Sequence, residues 1–116
     1  MYIPATDELR VFEAKASEAA SLLRALANEQ RLLILCHLLT AGELSVSALS
    51  NELSLSQSAL SQHLAKLREE GIITNRRESQ SVFYRVADEK AARVLALLRD
   101  IYCPDLMTKD FQNEHR

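Results

Sequence analysis

The amino-acid sequence predicts one mainly α-helical domain with a small β-hairpin, flanked by flexible tails at residues 1–5 and 105–116. Apolar residues form 47% of the 116-residue chain and only two glycines occur. This composition, rich in Leu and Ala, favours helices, and the length is typical of a single domain. Helical periodicity ends near residue 71, and β-forming residues then surround a polar break, ESQS, which predicts a hairpin turn. These β-formers are Ile72, Ile73, Thr74, Val82, Phe83 and Tyr84.

Two helices are predicted in the first part of the chain. The first covers residues 6–27, where Thr6 can cap the helix. Asn28 caps the second helix, which stops near Gly42. The second helix is apolar almost all round, so we expect it to be the central buried helix. The first helix has a single apolar stripe, formed by Leu9, Phe12, Ala16, Ala19, Leu23 and Leu26.

Three further helices complete the predicted order. Residues 45–53 form a short helix, and residues 56–70 form a longer one that Gly71 closes. Both begin with a serine that can cap them. After the hairpin, Asp88 caps a last helix that Pro104 ends. The expected order is therefore four helices, the hairpin and a fifth helix.

Charge and hydropathy restrict the possible functions. The net charge of −2 argues against indiscriminate nucleic-acid binding. Residues 56–85 nevertheless carry five basic and three acidic residues, whereas both flanking segments are net acidic. No apolar run is long enough to span a membrane, and the first residues do not resemble a secretory signal. We therefore expect a cytoplasmic protein whose basic segment meets an acidic partner.

The two helices at residues 45–53 and 56–70 are joined by only a few residues, which is the helix-turn-helix arrangement. In that motif the second helix enters the major groove of DNA with its N-terminal part on the bases. Leu60, Leu64 and Leu67 follow helical spacing and should face the core. The opposite side then presents side chains that can hydrogen-bond to base edges or phosphates: Gln57, Ser58, Ser61 and Gln62.

The ends of this motif also carry candidate DNA contacts. Ser56 caps the second helix, and the N–H groups at this helix start suit a phosphate. On the hairpin, Arg76, Arg77 and Gln80 suit contacts with the DNA backbone or minor groove. The alternative is a solvated polar surface beside an ordinary hairpin, because Ser and Gln are common on any surface. His63 is expected to be packed rather than to read a base or bind a metal.

Three stretches resemble one protein family. LLRALANEQRLLIL, ELSVSALS and LSQSALSQHLAKLREEGII are similar to the ArsR/SmtB family of small bacterial winged-helix repressors, and the likeness covers about residues 18–103. The resemblance implies a winged helix-turn-helix fold and a homodimer formed through the first and last helices. It also implies two recognition helices on a pseudo-palindromic double-stranded operator, and repression until an inducer weakens DNA binding.

Family members differ in the site that receives the inducer. The arsenic- and cadmium-type members carry Cys-Val-Cys on the third helix, where this chain has Ser45-Val46-Ser47, and hydroxyls bind soft metals poorly. The zinc-type members carry Asp and His on the last helix. Here Asp88 remains, but Lys90 and Ile101 stand where imidazoles would be expected. The three histidines, at positions 37, 63 and 115, show no ligand spacing. We therefore expect neither metal site and no cofactor.

Two cysteines remain, Cys36 in the second helix and Cys103 at the end of the last helix. Their placement resembles the persulfide- and thiol-redox-sensing branch of the family, of the BigR and HlyU type. That resemblance implies a disulfide or polysulfide bridge between the two cysteines of one protomer, formed by reactive sulfur species. Such chemistry needs a thiolate to attack a sulfur electrophile and a second thiol to resolve the product.

Three alternatives stay open. Free cysteine is often a buried small hydrophobe, so the protein could bind DNA without an inducer. A metal could instead be held by Cys36, Cys103 and tail residues such as Asp105 or His115. An enzyme is the remaining class. We find no nucleophile–base pair, phosphate-binding loop or pocket-forming glycines, and therefore expect no catalysis.

Overall fold

The computed structural model describes residues 6–104, and its elements confirm the predicted mainly helical fold with a hairpin. The predicted tails lie outside the described residues. None of the described helices combines the length and hydropathy needed to cross a bilayer. The elements in chain order are α1 Thr6–Leu26, α2 Glu29–Ala41, β1 Leu44–Ser45, α3 Val46–Glu52, α4 Gln57–Glu69, β2 Ile73–Glu78, β3 Ser81–Val86 and α5 Glu89–Tyr102.

The sheet contains one strand more than the sequence predicts. β2 and β3 form the expected antiparallel hairpin, and β1 adds to the other side of β3, with Leu44 opposite Tyr84 and Ser45 opposite Phe83. A two-residue strand is too short to show an alternating pattern, so only its long-range pairing reveals it. The extra strand ties the start of α3 to the hairpin.

Side-chain caps begin four of the helices, and those at Asn28, Ser56 and Asp88 are confirmed predictions. The side-chain oxygens of Asn28, Ser45 and Ser56 each accept a bond from the backbone N–H three residues later, at 3.1 Å. The Asp88 carboxylate accepts from the Lys90 N–H at 2.8 Å. Such caps satisfy backbone donors that the helix itself leaves unpaired. They set the boundaries of α2, α3, α4 and α5 locally, which is why sequence reasoning could place them.

The core forms around α2, which confirms its predicted central position. Ile34, Leu35 and Leu38 of α2 are fully buried, as are Leu49 of α3 and Leu95 of α5. The three leucines predicted on the inner side of α4 are buried as well. Through this burial, α4 and the hairpin pack against the same hydrophobic core. The two proposed DNA-contacting elements therefore keep a fixed relation to each other.

The apolar stripe of α1 is mostly uncovered. Only its C-terminal end reaches the core, through Ala25 and Leu26. Leu9, Phe12 and Leu23 are exposed, although they lie on the stripe that the sequence predicts to be the apolar side. The stripe is therefore present, but a single protomer does not bury it.

Candidate nucleic-acid interface and cysteine pair

The outer side of α4 carries the polar side chains that the sequence singles out. Because Leu60, Leu64 and Leu67 are buried on the inner side, the residues between them point outward. All four predicted base-contacting residues of α4 are exposed: Gln57, Ser58, Ser61 and Gln62. Ser56 is exposed too, and its hydroxyl oxygen holds the cap on the Ala59 N–H while its own O–H can still donate. The first turns of α4 thus form a continuous surface of hydrogen-bonding groups.

The preceding helix positions this surface. α3 ends at Glu52 and α4 begins at Gln57, so only four residues separate the two helices. Leu49 and Leu53 are buried in the core cluster on one side of this turn. The short connection and the shared core fix α4 relative to α3 in the helix-turn-helix arrangement.

One of the two predicted hairpin arginines is held by neighbouring side chains. Arg76 donates from Nε and Nη2 to both carboxylate oxygens of Glu43, at 2.9 and 2.7 Å, and from Nη1 to Glu78 at 2.6 Å. Its guanidinium also lies 4.7 Å from the ring centre of Phe83. These bonds raise the pKa of Arg76 and lower the pKa of Glu43. Two carboxylates therefore offset the charge that Arg76 could offer to DNA.

Arg77 lies on the other face of the sheet. Adjacent residues of a strand point to opposite faces, so Arg77 shares a face with Ile73, which is buried on the core side next to α4. Arg77 and Gln80 are both exposed, and Gln80 lies in the hairpin turn. The structure thus separates the two arginines, and it is Arg77 that lies on the α4 side of the sheet.

Glu43 is a partner of Arg76 that could not be predicted from the sequence. It lies between α2 and β1, 33 residues before Arg76 in the chain. No local pattern connects the two positions, because their contact depends on the pairing of β1 with β3. The contact between Glu43 and the hairpin could therefore be found only from the folded structure.

The two cysteines lie on elements that pack together, α2 and α5. Cys103 follows the last turn of α5, and its N–H donates to the Arg99 carbonyl at 2.8 Å. Both cysteines are exposed free thiols. The alternative that Cys36 is a buried small hydrophobe is wrong, since it lies on the outer side of α2 although its neighbour Leu35 is fully buried.

Partial burial and two groups at the end of α5 shift the pKa of Cys36. Nearby protein atoms displace part of the water around the exposed Cys36 sulfur, and this partial burial raises the pKa of the thiol. The positive charge of Arg99 acts in the opposite direction, and the charge of Cys103 raises the pKa of Cys36 further. The end of α5 therefore carries both the charge that favours the Cys36 thiolate and a charge that opposes it.

The positions that carry metal ligands in related proteins have other contacts here. The Ser45 hydroxyl accepts the Ala48 N–H and so caps α3, while Lys90 forms an ion pair with Glu18 of α1. Within residues 6–104, no three His, Cys, Asp or Glu side chains are grouped to hold a metal. His37 and His63 are half-buried, and the third histidine lies outside the described residues.

Comparison with known proteins identifies the family. Residues 28–75 match the model of the bacterial regulatory proteins of the arsR family. The transcriptional activator HlyU of Vibrio cholerae is 50% identical over 82% of this chain and 87% of its own length. The chain belongs to the arsR family. This confirms the resemblance to the HlyU and BigR branch, and makes the protein a DNA-binding transcriptional regulator rather than an enzyme.

Two further members of the family agree with this assignment. The biofilm growth-associated repressor of Agrobacterium fabrum is 45% identical over 82% of this chain and 80% of its own length. A solved structure of reduced HlyU from Vibrio cholerae has a TM-score of 0.76 and 49% identity, and the match covers 81% of this chain and 98% of that structure. The winged helix-turn-helix fold is therefore shared with members of the arsR family over most of the described chain.

Proposed function

We propose that this arsR-family regulator represses transcription as a homodimer on pseudo-palindromic DNA and releases the DNA when sulfur bridges Cys36 and Cys103 of one protomer. The observation that supports the sensing step is the pair of exposed thiols, Cys36 on α2 and Cys103 at the end of α5, on two helices that pack together. The inducer is a reactive sulfur species or another thiol oxidant. The relative from Vibrio cholerae has a reduced form, which agrees with a thiol-based switch.

DNA recognition in this proposal divides between α4 and the hairpin. Gln57 and Gln62 can each pair with adenine through two hydrogen bonds, and Ser58 and Ser61 can address bases or phosphates. Ser56 and the helix start suit a phosphate. On the hairpin, Arg77 and Gln80 contact the DNA backbone, whereas Arg76 chiefly holds the hairpin through Glu43 and Glu78. Sequence is thus read by α4, and affinity comes from Arg77.

The uncovered apolar side chains support the homodimer. Within residues 6–104, all but one of the large exposed apolar side chains belong to α1 or α5, and Phe12 and Tyr102 are 70% and 77% exposed. Large apolar side chains left exposed on two helices are typical of a surface that a protein partner covers. A two-fold dimer through α1 and α5 would cover it and place two α4 helices for two half-sites about one helical turn apart.

The proposed bridge forms by two successive displacements at sulfur. The Cys36 thiolate attacks the outer sulfur of a small persulfide, R–S–SH; the S–S bond breaks and RS⁻ leaves with the bonding electrons. The Cys103 thiolate then attacks Cys36 Sγ and HS⁻ leaves, which gives a disulfide. If the Cys36 persulfide first takes a second outer sulfur, Cys103 attacks the middle sulfur and a trisulfide remains. The protons lost by the thiols are taken up by the departing RS⁻ and HS⁻.

In this proposal, the bridge changes DNA binding by restraining α5. Cys103 directly follows α5, and α5 carries part of the proposed dimer surface, including Ile101 and Tyr102. Joining Cys103 to Cys36 fixes the end of α5 against α2, at the centre of the protomer. We infer that this shifts the dimer contact and the separation of the two α4 helices. Half-sites at a fixed spacing, roughly 34 Å, tolerate little such change.

The test uses an operator selected from random duplex DNA with the reduced protein. The protein is then treated with a persulfide donor and, separately, with peroxide, and its intact mass and operator affinity are measured. We expect persulfide to give an intraprotomer bridge, a mass that distinguishes disulfide from trisulfide, and at least a tenfold loss of affinity, about 1.4 kcal/mol. Unchanged affinity in the bridged protein contradicts the proposal. Tight stoichiometric zinc binding that alone releases DNA would favour a metal-responsive regulator.

The two hairpin arginines should differ in their contribution to DNA binding. Replacing Arg77 by alanine is expected to reduce the magnitude of the slope of log affinity against log salt by about two for the homodimer, because each protomer loses one phosphate contact. Arg76→Ala should change the slope much less, since Glu43 and Glu78 already offset its charge. Fluorescence anisotropy over a range of salt concentrations measures both slopes.

Glu43→Gln is the matched variant for this comparison. It removes one of the two carboxylates that hold Arg76, so the freed charge should raise DNA affinity and steepen the salt dependence. Equal slopes for Arg76→Ala and Arg77→Ala, with no effect of Glu43→Gln, would show that both arginines contact phosphate directly.

A further inference from the structure

We propose that Arg99 is a positioning residue of the thiol switch: its guanidinium holds the negatively charged sulfur of Cys36 and keeps that thiol able to join the bridge. The inference rests on the proposed function, because it concerns the same two cysteines. It adds a third residue to the switch, one that neither the cysteine spacing nor the family likeness points to.

The placement of Arg99 on α5 is the first support. Arg99 and Cys103 are four residues apart, and the Cys103 N–H bonds to the Arg99 carbonyl at 2.8 Å. Residues at this spacing lie on the same side of a helix. α5 packs against α2, which carries Cys36. The end of α5 therefore carries both Arg99 and Cys103 on the helix that packs against the Cys36 helix.

An unpaired donor is the second support. Arg99 is half-buried, and its Nε atom is closed off from solvent with no hydrogen-bond partner among the described residues. Buried polar groups in proteins are nearly always paired, and an unpaired one is unfavourable. A thiolate at Cys36 would give the Arg99 side chain an anionic partner, with charge-assisted hydrogen bonding of the kind that stabilises thiolates.

The charges around Cys36 indicate how Arg99 affects the balance between its thiol and thiolate forms. The charged or titratable groups that shift the pKa of Cys36 are Arg99 on α5 and Cys103 directly after it; α1, β1 and β3 contribute no such group within residues 6–104. Partial burial and Cys103 both disfavour the thiolate, and Arg99 alone favours it. Without Arg99, Cys36 would hold its proton more tightly, and the thiol form is a poor nucleophile.

The test measures the reactivity of Cys36 alone, in a Cys103→Ser background. Alkylation rates are followed from mildly acidic to strongly alkaline pH in this parent and after adding Arg99→Gln, Arg99→Lys or Arg93→Gln. Arg99→Gln should move the rate profile to higher pH and slow alkylation at neutral pH about three- to tenfold. Arg99→Lys should recover part of the rate. Arg93→Gln removes an exposed charge from the same helix and should leave the profile unchanged.

A profile that Arg99→Gln does not move, or moves no more than Arg93→Gln, overturns the role of Arg99. Should Arg99→Gln fail to fold, Arg99→Met keeps the half-buried stem and serves as the uncharged variant. Failure of the proposed function is seen separately, as bridged protein that still binds operator DNA. The alkylation profile contains neither DNA nor a bridge, so it can succeed or fail independently of that result.

Discussion

Cys36→Ser is expected to bind operator DNA as tightly as the reduced wild-type protein and to remain bound in the presence of a persulfide donor. The Cys36 side chain is exposed and takes no part in the buried core, so the substitution should leave folding and basal DNA affinity nearly unchanged. A serine hydroxyl does not attack sulfane sulfur under conditions in which a thiolate does. The wild-type protein should lose at least tenfold in affinity under the same treatment, about 1.4 kcal/mol.

Cys103→Ser is the matched variant and should fail at a different stage. Cys36 can still take one sulfur, so the intact mass should rise by a single sulfur atom, but no second thiol resolves it into a bridge. We expect this modified protein to keep its operator. Release of DNA from persulfidated Cys103→Ser would show that modification of Cys36 alone is the signal. Normal release in both variants would show that the cysteines are not the sensor.

Phe12→Glu is expected to separate the homodimer and to abolish tight operator binding. Phe12 is 70% exposed in the protomer, so the substitution should not unfold it. In the proposed dimer the same position is covered, and an unpaired carboxylate there costs several kcal/mol. A monomer contacts one half-site only, so we expect at least a hundredfold loss of operator affinity, about 2.7 kcal/mol. Sedimentation velocity and anisotropy measure the two effects.

Ala14→Glu is the control for this experiment. Ala14 is exposed on α1 but lies on the opposite side of the helix from the apolar stripe, so it adds the same charge without entering the proposed contact. It should remain dimeric and bind DNA normally. A dimeric Phe12→Glu, or equal weakening by both variants, would place the dimer contact elsewhere.

Local signals allowed much of this fold to be predicted from the sequence. The caps at Asn28, Ser56 and Asp88 and the buried leucines of α4 each depend on residues within one or two turns. Long-range pairing was not predictable in the same way. β1 is two residues long, and the Glu43–Arg76 ion pair joins segments that only the folded sheet brings together.

The candidate site likewise has features that local sequence predicts and features that depend on long-range contacts. The exposed polar side of α4 follows from helical spacing, and the structure places its residues as expected. The apolar stripe of α1 could be predicted as apolar, but a sequence does not show whether its own chain or a second copy covers it. Arg99 could not be singled out from the sequence, because only the packing of α5 on α2 relates it to Cys36.

The most direct test of the coupling between the cysteine pair and DNA is the effect of operator DNA on the bridge itself. If bridging weakens DNA binding by some factor, thermodynamic linkage requires DNA to disfavour bridging by the same factor. The fraction of bridged protein would be measured at equilibrium in a persulfide–thiol buffer, with and without saturating operator. A tenfold coupling predicts that operator DNA, by stabilising the reduced dithiol form, raises the midpoint potential of a two-electron disulfide by about 30 mV. The same bridged fraction with and without operator would contradict a switch that joins Cys36 and Cys103 to DNA release.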